Sequence, residues 1–260
     1  MVLLHGLSSS RECWKHVAHE LAVDGWNVVQ VDLRGHGESP WASDYGVDAY
    51  TADVAGLILA QLRGDAVVIG QSLGGLTAHR LAQRHPDFVR GVLLGDPPLF
   101  EGDDQLRGAS PAAAAFPALV ARIRAWQAEG TAAEEVADRL GAEPAAVGGT
   151  IAERLRPGLL AARARAALAF DPAAMDAAID GRMWRGYDPR EPIDCPMTVI
   201  AADPAVGAVF QPDRGMQILD ANPHAVVHTM QGYGHGIHDD RDGQRLFMSV
   251  VYEFLAPFES

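Results

Sequence analysis

Six short runs of consecutive apolar residues recur along the chain, and the first four alternate with helical patterns. Consecutive apolar positions are typical of strands buried on both faces of a parallel sheet. The helical patterns span Trp14–Val23, Ala49–Leu62 and Leu73–His85. Alternating strands and helices favour right-handed crossovers, so the sequence predicts an α/β fold with a mostly parallel twisted sheet flanked by helices. The predicted strands are Val2–Leu4, Val28–Val31, Ala66–Ile69, Gly91–Leu94, Met197–Ala201 and Ala225–Met230.

The alternation stops after Leu94, and roughly 100 residues pass before the next strand, which is too long for a loop in a compact domain. We interpret this stretch as an inserted helical cap at residues 97–190. Residues 1–96 and 191–260 then form the core, which a helix at about Asp242–Phe254 closes. The helical patterns predicted in the cap are Pro117–Ala128, Ala132–Leu140, Ala145–Ala169 and Pro172–Trp184.

The charge balance narrows the classes of partner. The formal net charge is −13 over 260 residues, and an acidic surface repels nucleic acid and anionic membranes. Two cysteines do not indicate a disulfide framework, and no apolar run is long enough to cross a bilayer. We therefore expect a cytoplasmic protein that binds a small molecule and neither nucleic acid nor membrane. The oligomeric state is left open.

A serine between glycines follows the third predicted strand. Residues 70–74 read Gly-Gln-Ser-Leu-Gly, a G-x-S-x-G pattern between a strand and a helix. A serine on so sharp a turn takes a strained backbone conformation, and side chains at Gly70 and Gly74 would clash with that turn. The turn predicts Ser72 as a nucleophile, with the N–H of Leu73 at a helix N-terminus where it can stabilise an oxyanion.

Two further segments extend this pattern, His5-Gly6-Leu7-Ser8 after the first strand and the D-x-R-G-x-G-x-S turn from Asp32 to Ser39. With them the chain resembles the α/β-hydrolase superfamily, in the serine-nucleophile branch with a helical cap, which includes esterases and lactonases. The resemblance implies an α/β-hydrolase fold and a second oxyanion N–H on Leu7. Family members usually have two further strands before His5, so we expect that this chain lacks them or is truncated, which leaves one sheet edge less well covered.

The resemblance also implies a general base in Gly232-Tyr233-Gly234-His235, after the last strand. We predict His235, because the pKa of an imidazole lies near working pH. His238, Asp239 and Asp240 follow closely and could suggest metal ligands, but we interpret them as a solvated loop. Neither a metal nor a cofactor is expected.

The acid of the triad is left between two aspartates. Asp203 follows the strand after the cap, the usual place in the family, but lies two residues before the typical position. Asp96 follows the strand Gly91–Leu94, from which some members of the superfamily take their acid. We slightly prefer Asp96. Either carboxylate would orient the imidazole and stabilise its protonated form.

These residues predict a serine hydrolase that cleaves a carboxylic ester or lactone through an acyl-enzyme. The apolar cap residues Met183 and Trp184 are expected to line a pocket for a small-to-medium, largely apolar substrate. The cap arginines are interpreted as a solvated helix face. The alternatives are an acyltransferase, a carbon–carbon hydrolase or a lyase on the same triad, or a non-catalytic small-molecule receptor.

Overall fold

The computed structural model describes residues 1–62, 65–102, 111–210 and 212–258, and its centre is a six-stranded parallel sheet. The strand order is β2-β1-β3-β4-β5-β6, and every neighbouring pair in it is parallel. The prediction of a mostly parallel sheet flanked by helices is therefore confirmed. The strands are β1 (Val2–Leu4), β2 (Val29–Val31), β3 (Ala66–Gln71), β4 (Val89–Gly95), β5 (Met197–Ala202) and β6 (Val226–Met230).

Helices cover both faces of the sheet, and the sheet separates two apolar clusters. One apolar cluster packs α2 (Val47–Leu57) and α3 (Leu73–Arg84) against the sheet and continues into the cap. The other packs α1 (Lys15–Val23) and α11 (Gln244–Leu255) against the opposite face. Every residue of β3 is buried, because helices lie on both of its sides. β2 forms one edge of the sheet, and its three residues are only partly buried.

Between β4 and β5 the described residues form helices joined by loops, and we call segment 97–190 the cap. Its helices are α4 (Pro111–Ala114), α5 (Phe116–Glu129), α6 (Ala133–Gly141), α7 (Ile151–Arg154), α8 (Leu159–Ala169) and α9 (Pro172–Ile179). Residues 103–110, at the start of the predicted cap, lie outside the described residues.

The single helical pattern expected at 145–169 is wrong, because the chain leaves the helix between α7 and α8. Pro157 has no N–H to donate and disfavours helical backbone at Arg156, and Gly158 has a positive φ of 78°. A further helix, α10 (Pro212–Ala221), was not predicted. Of its described apolar side chains, Ile218 is fully buried and Met216 is exposed, so its apolar pattern is weak. None of the helices in the described ranges is both long and apolar enough to cross a bilayer.

Candidate active site

The carboxyl ends of the parallel strands meet at one edge of the sheet. Leu7 follows β1, Ser72 follows β3, Asp96 follows β4 and His235 follows β6. The residues that the sequence predicts for one reaction thus lie in the loops that follow four separate strands. Neighbouring strands of a parallel sheet present their following loops at the same edge, which is where open α/β sheets bind ligands.

Ser72 lies on a strained turn between β3 and α3. Its φ of 53° and ψ of −116° are conformations that a residue with a Cβ rarely adopts. A Cβ added to Gly70 would lie 2.1 Å from the carbonyl oxygen of Gly74, and one added to Gly74 would lie 2.1 Å from that of Leu4. Both glycines are therefore required for the close approach of α3 to the sheet.

His235 and Asp96 form a direct hydrogen bond, with 2.6 Å between Nδ1 and Oδ2. Asp96 is buried and has a positive φ of 38°, and its carboxylate also accepts three backbone N–H bonds, from Ala202, Val209 and Phe210. These donors fix the plane of the carboxylate. Because Asp96 binds Nδ1, the Nε2 atom of His235 is the ring nitrogen left to exchange a proton with a substrate or a serine.

Asp203 lies apart from this pair and serves a different local structure. Its carboxylate accepts from the N–H of Ala205 at 2.9 Å and from that of Gly232 at 2.7 Å. These two bonds, the Gly232 one foremost, lower the pKa of Asp203. The Asp203 backbone N–H also donates to the Tyr233 carbonyl. Asp203 thus ties the loop after β5 to the turn that precedes His235, and neither of its two carboxylate bonds involves the imidazole.

The two leucines expected to supply oxyanion donors lie on either side of Ser72. Leu73 is buried as the first residue of α3, and Leu7 lies in the turn after β1. The two turns approach closely, since a Cβ added to Gly6 would lie 3.2 Å from the Cβ of Ser72. Ser8, the next residue in that turn, has a positive φ of 56°, so each of the two turns contains one residue with a strained backbone.

His5 and His36 are fully buried and hold the backbone rather than facing the cavities. Nε2 of His5 accepts the N–H of Leu33 at 3.0 Å, and Nδ1 of His36 lies 2.8 Å from the carbonyl oxygen of Arg34. Burial lowers the pKa of His5 to about 4 and that of His36 to about 3, so both imidazoles are neutral at pH 7. Their role is to fix the turn after β2 against β1.

Two cavities meet at Ser72 and His235. The first, called the polar cavity for its charged side chains, has a volume of about 660 Å³. Its lining includes Arg122, Glu143, Arg163 and Asp239 together with a larger number of apolar residues. The second, called the apolar cavity, has a volume of about 650 Å³. Its wall includes both cap residues proposed for the pocket, together with aliphatic and aromatic neighbours: Leu73, Phe116, Leu119, Ile179, Met183 and Trp184.

Two cap arginines hold the loop that carries His235, a role that the sequence interpretation missed. Arg154 binds both carboxylate oxygens of Asp240, at 2.9 and 3.0 Å, and Arg163 lies 3.0 Å from Asp239. Asp239 and Asp240 are buried, so the interpretation of that loop as solvated is wrong, as is the interpretation of Arg154 and Arg163 as part of a solvated face. Arg122, Arg124 and Arg165 are exposed, as expected. The sequence did contain a signal for these ion pairs: two adjacent acids, Asp239 and Asp240, follow the proposed base, and the cap carries arginines to which no partner had been assigned.

His238, Asp239 and Asp240 in this loop have side chains of the kinds that ligate metal ions. Within the described ranges, no three His, Cys, Asp or Glu side chains come close enough to hold an ion. The carboxylates of Asp239 and Asp240 are instead bound by guanidinium groups.

Comparison with known proteins gives matches over most of the chain. The profile of the α/β hydrolase family matches residues 1–247. Lipase LipV of Mycobacterium tuberculosis is 34% identical over 136 residues, which are 52% of this chain and only 51% of the lipase. An sn-1-specific diacylglycerol lipase of Mus musculus is 27% identical over 98% of this chain and 80% of its own length. In fold, a marine microorganism esterase superposes with a TM-score of 0.74 at 23% identity, covering 98% of this chain and 94% of the esterase.

Proposed function

The chain belongs to the α/β-hydrolase family, and from this we propose that it is a serine hydrolase acting on a carboxylic ester or lactone. The observation that carries the proposal is the 2.6 Å hydrogen bond between His235 and Asp96, at the cavities that Ser72 also lines. A base oriented by a carboxylate beside a serine on a strained turn is the arrangement that activates a hydroxyl for attack on an acyl carbon.

In the proposed reaction, Nε2 of His235 takes the proton of the Ser72 hydroxyl as Oγ attacks the acyl carbon. The carbonyl becomes an oxyanion, to which the N–H groups of Leu7 and Leu73 donate. The tetrahedral intermediate then collapses, and the leaving alkoxide takes the proton from His235. Water attacks the acyl-enzyme in the same way, releasing the carboxylic acid and restoring Ser72. Asp96 stabilises the imidazolium during both halves.

The two cavities support an assignment of the two halves of the substrate. The leaving group must reach His235, and the polar cavity is lined by the His235 loop from Tyr233 to Asp240. The apolar cavity includes Leu73, a proposed oxyanion donor, together with Met183 and Trp184. We therefore place the acyl group in the apolar cavity and the more polar alcohol in the polar cavity. Both cap residues then select the acyl chain.

Labelling with a fluorophosphonate tests the nucleophile directly. The purified protein should form one adduct, located by peptide mass spectrometry at Ser72, and should lose its activity on p-nitrophenyl butyrate in parallel. Ser72→Ala is the matched control and should neither label nor turn over. Turnover that persists in this variant, or an adduct elsewhere with Ser72 unlabelled, would refute the assignment.

The acyl pocket has its own test. Across p-nitrophenyl esters from acetate to octanoate, kcat/KM should rise with chain length as methylenes enter the apolar cavity, each contributing up to ~0.8 kcal/mol. Trp184→Ala should flatten this series while activity on the acetate stays within about threefold. An unchanged chain-length profile in Trp184→Ala would place the acyl group elsewhere.

A further inference from the structure

A second group of cavities lies outside the site of Ser72, and its wall is basic. A cavity of about 740 Å³ is lined by Arg156, Arg241 and Arg245 with Pro157 and Asp242. A smaller one, of about 330 Å³, shares Arg156 and Arg245 and adds residues of α1 and α11. Neither shares a lining residue with the polar or the apolar cavity. We call this group the arginine cleft; its other polar lining residues are His16, His19, Glu20 and Gln244.

The charges of the arginine cleft are unusual for this chain. The net charge is −13, and arginines elsewhere commonly bind carboxylates, as Arg34 binds Asp53 and Arg154 binds Asp240. Among the residues that the structure describes, neither Arg156 nor Arg245 forms such a pair. Asp242 in the wall is already bound by Arg154 at 3.2 Å. The cleft therefore holds three arginines against two acids, Asp242 and Glu20, and Asp242 is already paired with Arg154.

Buried polar atoms in the same place have no partner among the described residues. Gln244 is only 1% exposed, and neither Nε2 nor Oε1 of its amide forms a hydrogen bond. The buried Nε atom of Arg156 has no hydrogen bond either. An unpaired buried donor costs about 1–3 kcal/mol, and more when it is charged. Gln244 and Arg156 line the same cavity, so a ligand placed between them would lie beside two unpaired donors, Nε of Arg156 and Nε2 of Gln244.

The arginine cleft offers more N–H donors than one carboxylate can accept hydrogen bonds from. Three guanidinium groups and one amide surround the cleft, and a planar carboxylate offers only two oxygens, whereas a phosphate offers three or four in a tetrahedral arrangement. Guanidinium groups also match phosphate with paired hydrogen bonds. The pKa of His16 is lowered, mainly by burial and in part by the charges of Arg156 and Lys15, which is consistent with a positive field in the cleft.

We propose that the arginine cleft binds a phosphate group, either as inorganic phosphate or as a phosphate monoester. The cleft volume leaves room for an organic substituent beyond the phosphate. The ligand would bridge the cap at Arg156 to α11 at Gln244 and Arg245. It would thereby reinforce a junction already formed by backbone bonds from Arg156 to Asp239 and from Arg241 to Arg154.

Calorimetric titration of the full chain at constant ionic strength tests this site. Inorganic phosphate and glycerol 2-phosphate are each titrated, with sodium chloride as the reference. We expect saturable binding with a Kd of about 1 mM or tighter. Tighter binding of the monoester identifies an organic phosphate as the preferred ligand, and equal or weaker binding identifies inorganic phosphate; both support the site. Absence of saturable binding for both ligands overturns it.

Variants locate the binding. Arg156→Gln and Arg245→Gln should each weaken phosphate binding by roughly tenfold or more. Arg139→Gln, which removes the same charge from the exposed pair with Glu135 on α6, should not change it. If Arg156→Gln does not fold, the exposed Arg245 still gives the answer. Equal weakening by the Arg139 variant would mean a general charge effect and would refute the site. None of these readouts depends on turnover at Ser72.

Discussion

Asp96 and Asp203 follow adjacent strands, yet their carboxylates bind different groups. Asp96 is buried, accepts three backbone N–H bonds and holds the imidazole of His235. Asp203 accepts only the N–H groups of Ala205 and Gly232. At the scale of single residues, a carboxylate that binds the imidazole and one that binds only the backbone should respond differently to the loss of charge.

We predict that Asp96→Asn lowers kcat by roughly 10³–10⁴-fold, because an amide in place of the carboxylate favours the wrong tautomer of His235 and no longer stabilises its charged form. Asp203→Asn should lower kcat by less than about tenfold, since the amide oxygen still accepts one of the two backbone bonds and neither bond involves the imidazole. Steady-state kinetics on p-nitrophenyl butyrate checks the order. A larger loss in the Asp203 variant would make Asp203 the acid.

At the scale of elements, the turn from β3 into α3 depends on close backbone packing. Gly74→Ala would place a Cβ 2.1 Å from the carbonyl oxygen of Leu4 in β1, and backbone atoms cannot move away cheaply. We predict a loss of stability of about 3 kcal/mol or more, or failure to fold, measured by urea denaturation.

Gly56 on α2 provides the control for this substitution. It is exposed, and an added Cβ would meet nothing within 4 Å. Gly56→Ala should therefore stabilise the protein by roughly 0.5–1 kcal/mol through helix propensity. If both alanine variants changed stability alike, the close approach of α3 to β1 would not be the reason for Gly74.

The cap and the His235 loop form the second important junction between elements. Arg154 of α7 binds Asp240 with two hydrogen bonds, and Leu155 forms an antiparallel bridge with Asp240. We predict that Arg154→Gln lowers kcat by roughly 10- to 100-fold, because a small displacement of the base disturbs the reacting geometry. Kinetics measured beside a thermal melt would separate this effect from simple unfolding.

Two comparisons make the cap–loop prediction specific. Arg139→Gln on α6 removes an exposed pair with Glu135 and should leave kcat unchanged. Arg154→Lys keeps the charge but not the two parallel bonds, so it should recover only part of the rate. A fully active Arg154→Gln variant would show that the loop is held by the core alone.

At the scale of the whole molecule, several buried histidines make stability depend on pH. Burial lowers the pKa of His5, His79 and His238 to about 4 and that of His36 to about 3, against 6.5 when exposed. The unfolded chain therefore binds these protons at higher pH than the folded protein does. The associated stability is complete above about pH 6.5 and is lost as the pH falls towards 4.

We predict that the free energy of unfolding falls by on the order of 5 kcal/mol between pH 7 and pH 5, with cooperative acid unfolding below. Urea denaturation at half-unit pH intervals measures the slope. His79→Gln removes one of the buried imidazoles and should reduce that slope. A flat profile from pH 7 to pH 5 would contradict the assignment of these histidines as neutral and buried.

The residue pattern was enough to predict the six strands, their parallel direction and the turn around Ser72, whereas the order of the strands came from the structure. Each of these features is encoded within a few consecutive residues: an apolar run predicts a strand, and the spacing of Gly70 and Gly74 predicts the turn. The break between α7 and α8 was not predicted, although its signal is also local, since Pro157 and Gly158 lie between the two helices.

The aspartate that binds His235 and the partners of the cap arginines could be identified only from contacts between distant parts of the chain. Asp96 and His235 are 139 residues apart, and Arg154 and Asp240 are 86 apart. The geometry of such pairs depends on how the loops after β4, β5 and β6 are placed by the packing of the sheet and the cap. The spacing of residues along the chain does not predict that placement, because hydrogen bonds between distant segments depend on how the core positions those segments.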